Sequence, residues 1–370
     1  MGGRLFGLNF ARAVAILLVI VHHGFNVWSF PCIPLPDGVD IFFVLSGFLI
    51  GGILIRTVTQ SDKFKLCDVK LFLCRRWLRT LPALWFVLAV NLVITFLIHY
   101  DTLSGKAALK KIFLEDRLWE YLVFIQNLTS NLRTSFFPES WSLSVEEWFY
   151  AIFPVLLFLL MSLGRDRQRA ILAVVLVMIF VPCIIRYSLS DVHLKGTWMV
   201  TRMIVIMRLD SIAFGVLLAH LHRFNSRTWY WWQRSRFLFV SGFVLFYLSF
   251  LIIQRGGLYF NSITLTNWLF FPFSSICVMI FLPKLAVWSV RDGVFKDIVT
   301  FISKISYSMY LVNYSIVIQL IANDRWKNSF GEYRYLLYLL YWLFTIIISI
   351  SMYRYIEQPF LKLRDRYFRD

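Results

Sequence analysis

Charge is what this 370-residue chain has least of: Asp, Glu, Lys and Arg make up 16% of it, against 59% apolar types. That shortage excludes a soluble globular domain, where about a quarter of residues are charged and the apolar remainder fits inside. Mean hydropathy is +0.67. Cysteine is scarce too, with Cys32, Cys67, Cys74, Cys183 and Cys277 scattered and only Cys32 clearly in a loop expected on the external side. No disulfide framework and no metal-ligand spacing emerges from them. There is no internal repeat and no low-complexity segment. The first apolar run lacks a small-x-small cleavage site and carries Arg12, His22 and His23, so it reads as a retained helix and not a cleaved signal. The chain is therefore expected to be one integral-membrane domain over residues 1–370, with no fused extracytoplasmic esterase-like domain.

What is present is a series of apolar runs of membrane-spanning length, about 20 residues each. Ten are read, near 8–26, 38–55, 78–98, 143–163, 169–187, 203–222, 237–253, 266–283, 303–321 and 335–356. The expected fold class is all-α, a polytopic membrane protein with about ten transmembrane helices. Basic residues outnumber acidic ones, for a net charge of +17. Outside the spans, the N-terminus and every second connection hold roughly twice the Lys and Arg of the alternating connections, which predicts cytoplasmic termini. The excess is accounted for by topology and anionic lipid, and its dispersal over thin loops argues against nucleic acid. The stretch 112–128 is expected to be an external interfacial or re-entrant helix, with only Tyr121 to Leu128 apolar enough for the membrane core.

Several polar residues stand where lipid alone would forbid them. Glu146 and Glu147, in the run Trp141 to Tyr150, would each cost about 2.5 to 3.5 kcal/mol at mid-membrane, so they should face protein or water. Arg12 and His23 are eleven residues apart, about 16 Å along a helix and roughly 20° around it, and so look along one face. Snorkelling to headgroups would also explain Arg12, and an interfacial hydrogen bond His23. Asp40 opens the second helix, where it either caps the N-terminus or takes part in chemistry. Ser46 and Gly47 read as close-packing positions. Arg75, Arg76 and Arg79, at the end of a cytoplasmic loop around a helix start, suit either positive-inside topology or a grip on the phosphates of a ligand such as coenzyme A. Arg208 and Asp210 read as a buried ion pair or as part of a site. Glu357 is expected to pair with a nearby arginine. Trp119, Phe136, Phe137 and Trp141 of the long external loop 99–142 suit an acceptor platform or an aromatic belt.

Basic groups toward the cytoplasm with His and carboxylates toward the outside would line a path between two substrates. A histidine held by a carboxylate accepts a proton from an alcohol without a metal. The same residues resemble the motifs of the integral-membrane acyltransferase 3 family: Arg12 through His23, Gly38 to Ile50, Arg75 to Pro82, Trp141 to Tyr150, Arg208 to Asp210, and Tyr353 to Phe360, in order along nearly the whole chain. The resemblance implies O-acyl transfer from cytosolic acyl-CoA, often acetyl-CoA, to a hydroxyl of a cell-surface glycan, lipid-linked sugar or related molecule, with no bound cofactor. It implies His23 as base with Arg12 its partner in the first helix, Arg75, Arg76 and Arg79 near the donor, and Glu146 and Glu147 as required carboxylates; where the family's ninth-helix histidine is missing, proton transfer would fall to His23 or neighbouring His22. Two positions depart from the family pattern: Asn313 stands where a histidine is usual, and Asn9 where an acid is usual.

The expected mechanism is direct attack of the acceptor hydroxyl on the thioester, with His23 as base and Asp40, Glu146 or Glu147 orienting it. Trp141, Arg208, Asp210 and Asn313 are expected to contribute to substrate binding. An acyl-enzyme relay through Ser144 or Ser46, or hand-over to a separate acyl-handling protein, is the alternative. Ten helices with intramembrane charges also describe a transporter or flippase, although inverted repeats are not seen.

Overall fold

The computed structural model describes residues 6–28, 34–60, 63–99, 117–129, 136–190, 198–261, 264–321 and 333–368. Among these residues the chain is helical, with no strand. In order the helices are α1 (Phe6–Gly24), α2 (Gly38–Gln60), α3 (Leu66–His99), the short α4 (Leu118–Leu122), α5 (Ser140–Ser162), α6 (Arg167–Ser190), α7 (Trp198–Met203), α8 (Leu209–Phe224), α9 (Ser226–Arg234), α10 (Arg236–Asn261), α11 (Thr264–Ala286), α12 (Val294–Val312), α13 (Arg334–Met352) and α14 (Gln358–Tyr367). Two π-helical turns, Asn313–Ile318 and Tyr353–Glu357, extend α12 and join α13 to α14.

All ten predicted runs are found as helix. Among the described residues eight helices are long and apolar enough to cross a membrane. The run predicted over 303–321 coincides with α12 and its π turn, whose first part carries Lys296, Asp297 and Lys304. The run predicted over 203–222 starts late. Ile204 is extended, Val205–Met207 form a 3-10 turn, and α8 begins only at Leu209. The reason lies in Arg186, whose guanidinium takes the carbonyl of Met207 and so removes it from the helical ladder.

The arginine block is also placed differently from its expected position at a helix start. α3 begins at Leu66, so Arg75, Arg76 and Arg79 lie more than two turns inside it. Lys65 opens the helix, its N–H donating to Asp68 Oδ2 at 2.7 Å, which is half of a capping box. On that helix Arg75 and Arg79 share a face.

The chain divides into two compact units, and several helices pass from one to the other. The first holds Met1–Leu18, Pro34–Phe72 and Val145–Ser303. Its centre is α2 against α8, where the backbones touch: a methyl at Gly47 would overlap the Ile212 carbonyl, and one at Gly215 the Val44 carbonyl. Small residues are what allow membrane helices to approach this closely. The close-packing role read for Gly47 is thus seen, while Ser46 donates to or accepts from the Tyr150 hydroxyl at 2.5 Å.

The second unit holds Val19–Ile33, Leu73–Ser144 and Lys304–Asp370. Here the expected helix over 112–128 is corrected. Its described part is the five-residue α4 followed by turns, with left-handed backbone at Arg117 and Phe124, φ 45° and 61°. The turns free two side chains to bind the first turns of α5: Gln126 Nε2 donates to Ser144 Oγ at 2.7 Å, and Asn127 Nδ2 to the Trp141 carbonyl at 2.9 Å. A continuous helix would point them elsewhere. Residues 100–116 and 130–135, about half of the predicted external loop, lie outside the described residues, as does Cys32.

Candidate functional site

In the first unit, charge is matched against charge in a fully buried cluster. Arg208 pairs with Asp40, whose other oxygen accepts the Ser274 hydroxyl at 2.6 Å. The Arg208 guanidinium lies over the Phe271 ring, 4.1 Å from its centroid. Two residues on, Asp210 accepts both Nη1 and Nη2 of Arg186, at 3.2 and 2.6 Å, while Cys183 Sγ takes a further Arg186 contact at 3.1 Å. Asp37 pairs with Arg202 nearer the helix end. Arg208 and Asp210, read from the sequence as a pair, are thus held by different partners. The break before α8 turns Arg208 to α2 and leaves Asp210 facing α6.

This changes the reading of Asp40. It was expected to cap α2 or to orient His23; its carboxylate instead anchors α2 to Arg208 and Ser274. Arg186 was not singled out from the sequence. An arginine near the end of a predicted span resembles a snorkelling side chain, and only its burial, at 2% exposure, marks it as internal. Glu146 and Glu147 follow on α5, Glu147 buried and Glu146 partly so.

In the second unit the centre is His23, near the end of α1. Its Nδ1 lies 2.6 Å from Asn313 Oδ1. The Asn313 amide has a fixed sense, because its Nδ2 donates to the carbonyls of Met309 and Tyr310 at 2.8 and 2.7 Å. Oδ1 must therefore accept, so His23 carries its proton on Nδ1 and its lone pair on Nε2. The Tyr341 hydroxyl reaches the same Oδ1 at 3.4 Å and donates to the Ile20 carbonyl at 3.0 Å. The Tyr314 ring meets the imidazole edge-on, centroids 4.9 Å apart. Asn313, expected to touch substrate, is a fully buried residue that orients the histidine, so an amide does at Nδ1 what a carboxylate was expected to do.

Asn313 opens the π turn Asn313–Ile318. On that turn the Ser315 N–H donates to Glu139 Oε1 at 2.9 Å. Glu139 was missed in the sequence, where it sits just ahead of Trp141 and the more conspicuous acid pair. It is 3% exposed, and burial pushes its carboxyl up to about 7. Tyr310 donates to the Glu139 carbonyl at 3.0 Å and shares a 2.6 Å hydrogen bond with Ser142.

Away from this centre, Glu357 accepts the Ser308 hydroxyl, with the Arg79 charge in electrostatic reach. That agrees with the arginine partner expected for Glu357. Arg75 and Arg76 are partly buried on α3. Arg12 is partly buried and His22 exposed on α1. Of the aromatics proposed as an acceptor platform, Trp119 is exposed, but Phe136, Phe137 and Trp141 are buried and belong to the core. Ser144 is bound by Gln126, and Ser46 by Tyr150. Neither contact is with a base of the kind a nucleophilic serine uses.

These features define a polytopic helical membrane protein with a buried Asn313 amide set against the His23 imidazole. The chain belongs to the acyltransferase domain family, which it matches over residues 5–354. It is similar to "Putative O-acetyltransferase SACOL0978" of Staphylococcus aureus (strain COL), 28% identical over 388 residues that cover 96% of this chain and 57% of that protein. It is also similar to "O-acetyltransferase OatA" of Staphylococcus aureus (strain NCTC 8325 / PS 47), 25% identical over 381 residues, again 96% of this chain and 57% of the relative. The chain thus spans little more than half the length of the curated relatives it matches. No solved structure matches it.

Proposed function

We propose that this protein is a multi-pass membrane O-acetyltransferase that moves an acyl group, acetyl in the first instance, from cytosolic acyl-CoA to a hydroxyl of a cell-surface carbohydrate or lipid-linked sugar. The observation that carries this reading is the Asn313 amide, whose fixed sense leaves His23 with a basic Nε2. In the reaction Nε2 takes the proton of the acceptor hydroxyl as its oxygen attacks the thioester carbonyl carbon. The carbon–sulfur bond then breaks, the ester leaves, and the thiolate of coenzyme A takes the proton back from the imidazolium. Asn313 stabilises that imidazolium by accepting from Nδ1 throughout.

Arg75, Arg76 and Arg79 are proposed to hold the phosphates of the donor. Glu146 and Glu147 are proposed as the further carboxylates the family resemblance implies. Cytoplasmic termini put the arginine face of α3 on the donor side. The name O-acetyltransferase carried by the relatives supports the acyl group and the ester linkage. Transfer of labelled acetyl-CoA into a hydroxyl-rich membrane extract, by wild type and by His23→Ala, tests the reading. Label in an extract component with wild type alone supports it and identifies the acceptor by mass. Label transfer undiminished in a folded His23→Ala protein overturns it, and an acceptor left chemically unchanged by wild type indicates transport.

A further inference from the structure

We infer that Glu139 is a positioning residue for His23, acting through the π turn that carries Asn313. The inference rests on the reading of His23 as general base. A π turn interrupts the regular ladder of α12, and such interruptions leave backbone groups to be satisfied from outside the helix. Here the Ser315 side chain takes the Leu311 carbonyl at 3.3 Å, and the Ser315 N–H goes to Glu139 Oε1. Glu139 therefore pins the π turn from the turn that leads into α5. Two residues earlier on the same turn, Asn313 fixes the imidazole; between them, Tyr314 packs on it. A shift of the turn moves the Asn313 acceptor, the Tyr314 ring and hence the direction of Nε2.

A backbone acceptor would suffice for pinning alone. What distinguishes Glu139 is its second oxygen, Oε2, which is buried and has no hydrogen-bond partner among the described residues. Such a group is costly to bury and is kept where its ionisation has a use. Around Glu139, the Ser315 N–H takes the other carboxyl oxygen, Tyr314 of the π turn and Tyr341 of α13 lie within electrostatic reach, and Tyr310 of α12 and Ser142 of α5 donate to its backbone carbonyl. No charged side chain is among the influences on its ionisation. Its protonation is therefore set by burial and by hydrogen bonding, chiefly the Ser315 bond.

The test is Glu139→Gln in the full chain, assayed for transfer from labelled acetyl-CoA into the membrane extract as a function of pH. An amide oxygen still accepts the Ser315 N–H, so the fold is kept while the ionisation is lost. Because a neutral amide accepts less strongly than a carboxylate, the turn is held less firmly, and the expected result is a fall in kcat of about 10- to 100-fold, the upper end being the cost of a misplacement of about 1 Å, with KM for acetyl-CoA little changed. The pH profile of kcat/KM loses an ionisation near neutrality, and Glu139→Asp, which keeps the charge on a shorter arm, retains it. If Glu139→Gln has the wild-type kcat and pH profile, the inference is overturned. If Glu139→Gln does not fold, Glu139→Asp decides: an unmoved neutral limb and unchanged kcat overturn the inference, and a displaced limb upholds it. Failure here with His23→Ala inactive leaves the base assignment standing. An active His23→Ala protein removes that assignment first.

Discussion

Asp40, Asp210 and Glu139 are equally buried, at 1%, 0% and 3% exposure, but the two regions that hold them treat a carboxylate in opposite ways. In the first unit each aspartate has an arginine of its own, with the Ser274 hydroxyl on Asp40 and the Phe271 ring under Arg208, while Arg208 Nε and Nη1 and Arg186 Nε are buried with no hydrogen-bond partner among the described residues. In the second, Glu139 has a backbone N–H on one oxygen and no hydrogen-bond partner among the described residues on the other, while the His23 ring meets an amide oxygen at Nδ1. Matched buried pairs fix how helices meet and have little left to offer a substrate. Unmatched titratable groups are where protons change hands. Charges inside a membrane protein are thus read by whether their partners are complete, because burial is the same in both cases.

The comparison is broken most severely by Arg208→Ala. It leaves Asp40 buried without its counter-ion, and removing one partner of such a pair costs about 3 to 5 kcal/mol. The expected outcome is a large loss of folded protein in detergent, followed by size-exclusion yield and thermal unfolding. Double replacement of Asp40 and Arg208 by apolar residues of similar size should recover much of it. If Arg208→Ala is instead stable and inactive, the first cluster belongs to the chemistry.

In the second region His23→Ala should leave the unfolding temperature near that of wild type and lower transfer by about 10² to 10⁴, the usual contribution of a positioned base. Asn313→Leu keeps the side-chain volume and removes the acceptor for His23 Nδ1. An unsatisfied buried donor costs about 1 to 3 kcal/mol, so transfer should fall by about tenfold or more. A wild-type rate in Asn313→Leu would mean that the tautomer is held by something else.

The smallest effect expected is a pH dependence of stability. The Glu139 carboxyl lies at about 7 in the folded protein against an ordinary 4.5, so between those values the folded chain binds more protons than the unfolded one. Its contribution is fully present below the lower value and is lost as pH rises through the higher. Glu139→Gln should therefore flatten the decline of unfolding temperature between about pH 5 and about pH 8. An unflattened decline would locate the titrating group elsewhere.

The helices were legible because lipid imposes one requirement on every span, and apolar length records it. Each of the ten runs is helix. Their ends were less legible: α3 starts twelve residues before the predicted 78, at Leu66, because charged Lys70, Arg75 and Arg76 look like loop in a hydropathy reading although their helix propensity is good. The 112–128 segment failed for the reverse reason. Its apolar half looked like helix, yet Gln126 and Asn127 are turned to donate hydrogen bonds to α5.

His23 and Asp40 stood out in the same way, as polar residues in apolar runs, but their fates differ. Glu139 did not stand out at all, since it precedes the span and sits beside a conspicuous acidic pair. Asn313 was noticed only as a departure from the family pattern, and nothing in its neighbours foretold an amide held by two carbonyls.

By itself the sequence determined that the chain is a helical membrane protein, which residues lie too deep for lipid to tolerate, and which family it belongs to. These follow from composition and from order along the chain. Tertiary structure alone decided who partners whom: Arg208 with Asp40, Arg186 with Asp210, Asn313 with His23, and Ser315 with Glu139. Hydrogen bonds and ion pairs act over about 3 Å, and contacts at that range between residues 24 to 290 positions apart depend on how helices pack, a property no local stretch of sequence contains.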